Sequence, residues 1–367
     1  MKKQIRNIGV GALVALWVAV TAFAWFGPEK DISVWERRPL QQMPPVTADA
    51  LLNGGFMEKF EDYTLDQFPL RDTFRTAKSL FSYYVLQQQD NNGIYIEDGY
   101  AAKLEYPLQN ASVSNALKKF QFIYDRYLKN TDSNIYVSVI PDKGYYLASA
   151  NGYPAMDYEK LYEQVVAGMP WAQVIDIREK LAVDDYYRTD THWRQEKLLE
   201  VAQTFGSALN IPLPKQGDFT PVLVSQRFYG VYYGQAALPL PGEELYIMES
   251  EQLSNCRVYN HETGMFQSVY DLAKLDGLDP YDVYLSGAQA LLTMENPNAA
   301  TDRELIVFRD SFGSSLAPLL AHGYAKITLV DIRYISSSML GEQLDFHGQD
   351  VLFAYSTLIL NNSISLK

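Results

Sequence analysis

Glu304-Leu305-Ile306-Val307-Phe308-Arg309-Asp310-Ser311-Phe312-Gly313 is the stretch on which the fold turns. Glu304 to Phe308 is a short apolar run with the length and β-branched content of a buried strand. Asp310 and Ser311 are residue types that start helices, and a helix is expected from there through Leu320. Working outward, Lys326 to Val330 and Val351 to Leu360 read as the following strands, and Asn134 to Ile140 as an earlier one stopped by Pro141. A further strand is expected at Ala172 to Ile177, with helices over 113–128, 157–168 and from about Arg194 to Leu209. Such alternation implies an α/β fold whose mainly parallel sheet carries helices on both faces.

The pattern weakens between about 215 and 300, where Gly, Pro and Tyr recur among short strand-like pieces, and this stretch reads as an insertion. Toward the N-terminus, Gly93 to Tyr100 reads as a short hairpin after the turn Asn91-Asn92-Gly93. Residues 47–90 read mostly as helix interrupted at Phe68-Pro69, and 27–45 as a polar, proline-bearing stalk. The organisation expected is 1–26 as cytoplasmic tail and membrane segment, 27–105 as stalk and helical region, and 106–367 as the catalytic domain.

Composition narrows the function. The 367 residues carry 31 basic and 44 acidic side chains, a net charge of −13, which argues against nucleic acid as a partner. One cysteine, Cys256, excludes an intrachain disulfide framework and any multi-cysteine metal site. Lys2, Lys3 and Arg6 are the only charges in 1–26, so with these three cations set apart the rest of the chain carries −16. Ile8 to Phe26 is then 19 residues without a charge, which as a helix rises about 28 Å, close to a bilayer's hydrocarbon core. An uncleaved transmembrane signal-anchor is favoured over a signal peptide cut after Ala22-Phe23-Ala24, because the stretch is long and bulky Trp25 and Phe26 would follow the cut. The basic end then stays in the cytoplasm and the acidic body is exported.

Two motifs carry chemistry. Thr189-Asp190-Thr191-His192-Trp193 sets a carboxylate two residues before one of only four histidines, where it can orient the imidazole and stabilise its protonated form. The bland reading is that Asp190 caps the helix beginning near Trp193. Asp310-Ser311 lies where a strand meets a helix, at the carboxyl end of the sheet, with helix N–H groups facing a developing oxyanion. Its bland reading is again a helix cap. Serine needs an adjacent base, and each motif supplies what the other lacks. Asp190 and His192 have no third ligand at a recognisable spacing, so no metal is expected.

These residues, taken in order with Glu36-Arg37-Arg38-Pro39-Leu40, Asp66 to Asp72, Gly93 to Ile96, Val139 to Lys143 and Val330 to Tyr334, resemble the DHHW family and the SGNH-like alginate O-acetyltransferase proteins. The resemblance covers nearly the whole exported chain. It implies an SGNH-hydrolase-like sheet with a permuted motif order, in which Ser311 is the nucleophile, His192 the base and Asp190 its orienting partner. Thr191 stands where the family's name has its first histidine, and the Asp-x-His spacing differs from the Asp-x-x-His of ordinary SGNH hydrolases.

The expected activity is that of an extracytoplasmic O-acetyltransferase, modifying a cell-surface or exported polysaccharide through an acyl-serine. No cofactor is expected, and the resemblance implies a membrane-bound O-acyltransferase (MBOAT-type) partner that delivers acetyl groups across the bilayer. The alternatives are an SGNH-type esterase that deacetylates glycans, and a non-catalytic glycan-binding assembly protein. Lys143 and Arg333, both just past strand ends, and Trp193 beside the histidine are candidate substrate contacts, with solvated or ion-paired loop residues the bland reading for the two cations. Arg71 is expected to be structural, holding the N-terminal helices against the sheet. The 27 tyrosines suit a carbohydrate groove or core packing equally.

Overall fold

A computed structural model describes residues 2–212, 215 and 217–367, with side chains described from residue 7 onward. The chain divides into two compact units, Met1–Asn91 with Gly234–Pro239, and Asn92–Tyr233 with Leu240–Lys367.

The second unit is built on one eight-stranded sheet. Its strands are β1 (Ile135–Ile140), β2 (Gln173–Val174), β3 (Arg257–Asn260), β4 (Met265–Gln267), β5 (Leu291–Glu295), β6 (Glu304–Arg309), β7 (Lys326–Val330) and β8 (Asp350–Ser356), in the order β4-β3-β5-β7-β6-β8-β1-β2. From β7 to β2 every pairing is parallel. The register sets Val307 of β6 beside Leu329 on one side and Leu352 on the other. Strands β5, β3 and β4 continue the sheet antiparallel beyond β7. The stretch read as an insertion therefore supplies the antiparallel edge of the main sheet, plus a separate irregular hairpin in which Thr220–Phe228 pairs with Glu243–Glu249.

Successive strand residues point to opposite faces, and here both faces are apolar because both are covered. Ile306, Phe308, Val351 and Phe353 meet Val113, Ala116, Phe120 and Ile123 of helix α1 (Asn110–Ile123) and Leu161 and Val165 of α2 (Tyr158–Gly168). Leu305, Val307, Leu352 and Ala354 meet Val201 and Phe205 of α3 (Leu199–Ala208) and Leu316 and Leu320 of α4 (Phe312–Leu320). The apolar spacing of α1 is that of a helix with one buried stripe, and α2 starts at Asp157, whose side chain accepts the Lys160 N–H.

Three boundaries differ from the sequence reading. The strand expected at Ala172 to Ile177 pairs only over Gln173–Val174, at the sheet edge. The helix expected from Arg194 opens instead as a tight turn, Gln195–Lys197, because the buried Gln195 amide is drawn inward to the Ser315 carbonyl and the Met248 N–H. The last strand ends at Ser356, whose hydroxyl accepts the Ile359 N–H and starts the short helix Thr357–Asn361. The expected hairpin is present as Ile94–Glu97 paired with Tyr100–Lys103; it lies in the second unit, where the Ala101 N–H donates to the Arg188 carbonyl.

The N-terminal unit holds helix Lys2–Phe26, within which Asn7–Phe26 is long and apolar enough to cross a membrane. Helices Gly55–Asp66 and Arg71–Leu80 follow, broken at Phe68-Pro69 as expected. Arg38 grips the Asp66 carboxylate through both terminal nitrogens, 2.8 and 2.6 Å, and so holds it below the usual carboxylate range. Arg71 reaches Glu36 at 2.6 Å and Asp66 at 3.2 Å, so its partners are within its own unit rather than on the sheet.

Phe353 is wholly buried and stacks on Phe308 at 4.7 Å, with Phe120 at 5.2 Å. Phe353→Ala is expected to cost about 3–5 kcal/mol in urea-unfolding stability, the usual price of a large cavity in a closely packed core.

Candidate active site

Ser311 stands between the end of β6 and the start of α4, at the carboxyl end of the parallel strands, and is partly exposed. Its backbone is already helical, φ −63° and ψ −22°, and its side chain makes no capping bond. The cap is Asp310: one carboxylate oxygen accepts the Phe312 N–H at 3.0 Å and the other the Ser356 N–H at 2.7 Å, joining the serine turn to the end of β8. Ser311 Oγ is thereby left free to face His192 Nε2 at 2.7 Å.

His192 is held from its other side. Nδ1 lies 2.5 Å from Asp190 Oδ1, which also accepts the His192 N–H at 3.0 Å, while Asp190 Oδ2 accepts the Val231 N–H at 2.8 Å. Asp190 does not cap the turn Gln195–Lys197 that follows Trp193; its second oxygen goes instead to the N–H of Val231, where the helix Val231–Ala236 begins. Its carboxylate only accepts, so Nδ1 carries the proton and Nε2 presents its lone pair to the serine hydroxyl. Asp190 is 0% exposed and His192 6%; in such a setting an oriented charge acts more strongly than in water. The Phe312 N–H is taken by Asp310, which leaves the Ser311 N–H without a partner among the described residues and available to an oxyanion.

The supporting shell draws on segments that the sequence left unassigned. The Tyr281 ring stacks on His192, centroids 3.8 Å apart and 5° from parallel, and its hydroxyl bonds Ser315 Oγ at 2.8 Å. Glu243 receives the Arg188 N–H, the Thr189 N–H and the Thr189 hydroxyl at 2.6–2.8 Å, which fixes the strand of chain leading into Asp190. Gly230 abuts the back of Asp190: a Cβ there would sit 2.2 Å from Asp190 Cβ and 2.3 Å from its Cα. Tyr281, Glu243 and Gly230 carried no local signal, since each lies tens of residues from its target.

The candidate substrate contacts fare differently. Trp193 is wholly buried, its Nε1 donating to Ser315 Oγ at 2.8 Å and its ring edge-on to Phe312, so it locks the histidine segment to α4 and offers nothing to a glycan. Lys143 is also buried; its ammonium donates to the carbonyls of Ala101, Tyr187 (2.8 Å) and Arg188 (3.3 Å) beneath the site. Burial pulls it down from 10.5 to about 7, against the carboxylates of Asp190, Glu243 and Asp142, which favour the charge. Arg333 is partly exposed and forks onto Asp331 at 2.9 and 2.6 Å, making no bond to the three site residues. Tyr186 and Tyr187, which precede the motif, Tyr232, whose hydroxyl bonds Thr191, and Tyr281 beneath the imidazole are core residues. Among the described residues no group of three or more His, Cys, Asp or Glu side chains is placed to hold a metal ion.

No family model and no curated protein matches the sequence. Solved structures do match. A DHHW family protein from Eubacterium siraeum superposes with a TM-score of 0.60 at 18% identity, over 75% of this chain and 95% of that one. The chain has the fold of a DHHW family protein. Bacillus cereus PatB1 superposes on this chain with a TM-score of 0.57 at 17% identity, over 73% of this chain and 96% of that one. PatB1 carrying a sulfonyl adduct matches at 0.54 and 16% identity, over 73% and 97%.

Gly230→Ala must displace Asp190 and with it His192; activity is expected to fall by roughly 10²-fold or more, as for an angstrom-scale misplacement, while far-ultraviolet circular dichroism stays native. For Lys143, the unfolded chain holds its proton between pH 7 and 10.5 whereas the folded chain has released it. Its contribution to stability therefore grows as pH rises through that window and is lost as pH falls through 7. Urea titrations of wild type and Lys143→Met should show the wild type gaining on the variant as pH rises.

Proposed function

We propose that the protein is an extracytoplasmic O-acetyltransferase that transfers an acetyl group through Ser311 to a hydroxyl of a cell-surface or exported polysaccharide. The observation that carries this reading is the unbroken line Asp190–His192–Ser311, with 2.5 and 2.7 Å between successive side chains. The motif resemblance to the alginate O-acetylation proteins and the DHHW fold support the choice of transfer chemistry.

In the first half-reaction His192 Nε2 takes the hydroxyl proton as Ser311 Oγ attacks the carbonyl carbon of an acetyl donor. The Ser311 N–H and the start of α4 face the oxygen that becomes negative, and Asp190 stabilises the imidazolium. The imidazolium returns its proton to the donor's leaving group, leaving acetyl-Ser311. A glycan hydroxyl then yields its proton to His192 and attacks the ester, and the proton returns to Ser311 Oγ. The chemistry needs no group beyond donor and acceptor. An MBOAT-type membrane acyltransferase is proposed as the source of acetyl groups, and the cations Lys2, Lys3 and Arg6 support an orientation with the N-terminus in the cytoplasm and the second unit outside.

Ser311→Ala and His192→Ala are each expected to remove roughly 10³-fold or more of the activity, with the double variant little worse than either. The assay incubates protein with an acetyl ester, with and without an oligosaccharide. Acetate on the glycan supports transfer, free acetate alone makes the protein an esterase, and wild-type acetylation by either variant removes Ser311 and His192 from the mechanism. The PatB1 structure with a sulfonyl adduct recommends the same reagent class as a probe. Sulfonyl fluoride should label Ser311, and no labelling would favour a non-catalytic glycan-binding protein.

A further inference from the structure

Helix Arg71–Leu80 and the π-helical turn Phe81–Val85 that continues it are amphipathic in the inverted sense. Leu70, Phe74, Phe81 and Tyr84 are 72%, 57%, 53% and 75% exposed, and Ala77 and Val85 are exposed with them. The spacing of three, four or seven among Phe74, Ala77, Phe81, Tyr84 and Val85 places these on one face of the helix, with Leu70 exposed just ahead of its first turn. The opposite face is polar and turned inward. Arg71 meets Glu36 and Asp66, Arg75 donates to the Gly234 carbonyl at 2.8 Å, and the buried Ser79 hydroxyl donates to the Ala236 carbonyl at 2.9 Å. A helix at a water surface has the reverse arrangement, since apolar area left in water forfeits about 25 cal/mol per Å².

The exposed stripe runs on from the membrane helix. Trp25 lies against Phe60, centroids 6.1 Å apart, and Phe68 meets Phe74 edge-on at 5.5 Å. A groove between the two segments is lined by Trp17, Thr21 and Ala24 on one side and Phe60, Tyr63 and Phe68 on the other. Trp17 is nine residues before Phe26, about 14 Å back along the helix, so helix Gly55–Asp66 runs beside the outer half of the spanning segment.

We propose that the Leu70, Phe74, Phe81 and Tyr84 face lies in the boundary between headgroups and acyl chains of the outer leaflet, so that lipid covers it. The inference rests on the membrane-spanning reading of the N-terminal helix and is independent of the chemistry at Ser311. Lipid is the occupant because the stripe continues a surface already in the bilayer, and because its aromatic content, with Tyr84 at the far end and exposed Lys78 free to extend toward the headgroups, is that of an interfacial helix.

The test uses the full chain with Cys256→Ser, reconstituted in phosphatidylethanolamine–phosphatidylglycerol vesicles and carrying single cysteines labelled with an environment-sensitive dye. Phe74→Cys and Phe81→Cys report the stripe, with Leu70→Cys and Tyr84→Cys as second positions should either fold poorly. Trp17→Cys reports the spanning helix and Ser207→Cys a water-exposed site of the second unit. Brominated acyl chains should quench the stripe labels at least about twofold, as at position 17, and leave position 207 unchanged, while aqueous iodide reaches only 207. Stripe labels that behave like position 207 while position 17 is quenched overturn the proposal. Loss of quenching at position 17 as well overturns the membrane-spanning reading and the proposal with it. Shielding from iodide without acyl-chain quenching, or only when a membrane acyltransferase is co-reconstituted, replaces lipid by a protein partner.

Discussion

A serine hydroxyl becomes a nucleophile only where a base touches it, and the 2.7 Å contact between His192 Nε2 and Ser311 Oγ joins residues 119 apart in the chain. The fold of the second unit can be understood as the means of holding that contact. The β6 strand and α4 set the serine at the carboxyl edge of the parallel strands, and Asp310 ties the turn to the end of β8. Trp193, anchored through Ser315 to α4, brings the histidine segment to the same place.

The site is stiffened mainly by charge-assisted bonds to backbone. Glu243 gathers the N–H groups ahead of Asp190, Asp190 gathers those of His192 and Val231, and Lys143, while it holds its proton, gathers three carbonyls below. Bonds of this kind are stronger than neutral ones and lose their value when one partner is removed. They therefore convert loops, which would otherwise be mobile, into a frame for the imidazole. Tyr281 closes the frame by stacking on the ring and bonding the same Ser315 hydroxyl that receives Trp193.

The N-terminal unit obeys a different balance. Arg38, Arg71 and Arg75 converge on Glu36 and Asp66, so the motif pieces that lie 25 or more residues apart in sequence form one ionic knot. With the polar residues drawn inside, the apolar ones are left on the outside, an order that is favourable beside a helix long and apolar enough to cross a membrane.

The sequence alone determined the features that arise within a few residues of one another. Hydrophobic periodicity placed β1, β6, β7 and α2 to within a residue or two and α1 less closely, 113–128 against Asn110–Ile123; the uncharged run marked the helix that is long and apolar enough to cross a membrane, and the Asp-x-His and Asp-Ser motifs named the three residues that the structure brings into line. The antiparallel strands β3, β4 and β5 were not legible, because edge strands hold a short, mixed pattern that only pairing with β7 makes regular. Nor were the roles of Lys143 and Trp193, which look available for substrate until their neighbours bury them, nor those of Tyr281, Glu243 and Gly230. Burial, stacking and the close approach of backbones are relations between distant segments. Only the tertiary structure decides them, because they depend on which residues the sheet carries to the same point in space.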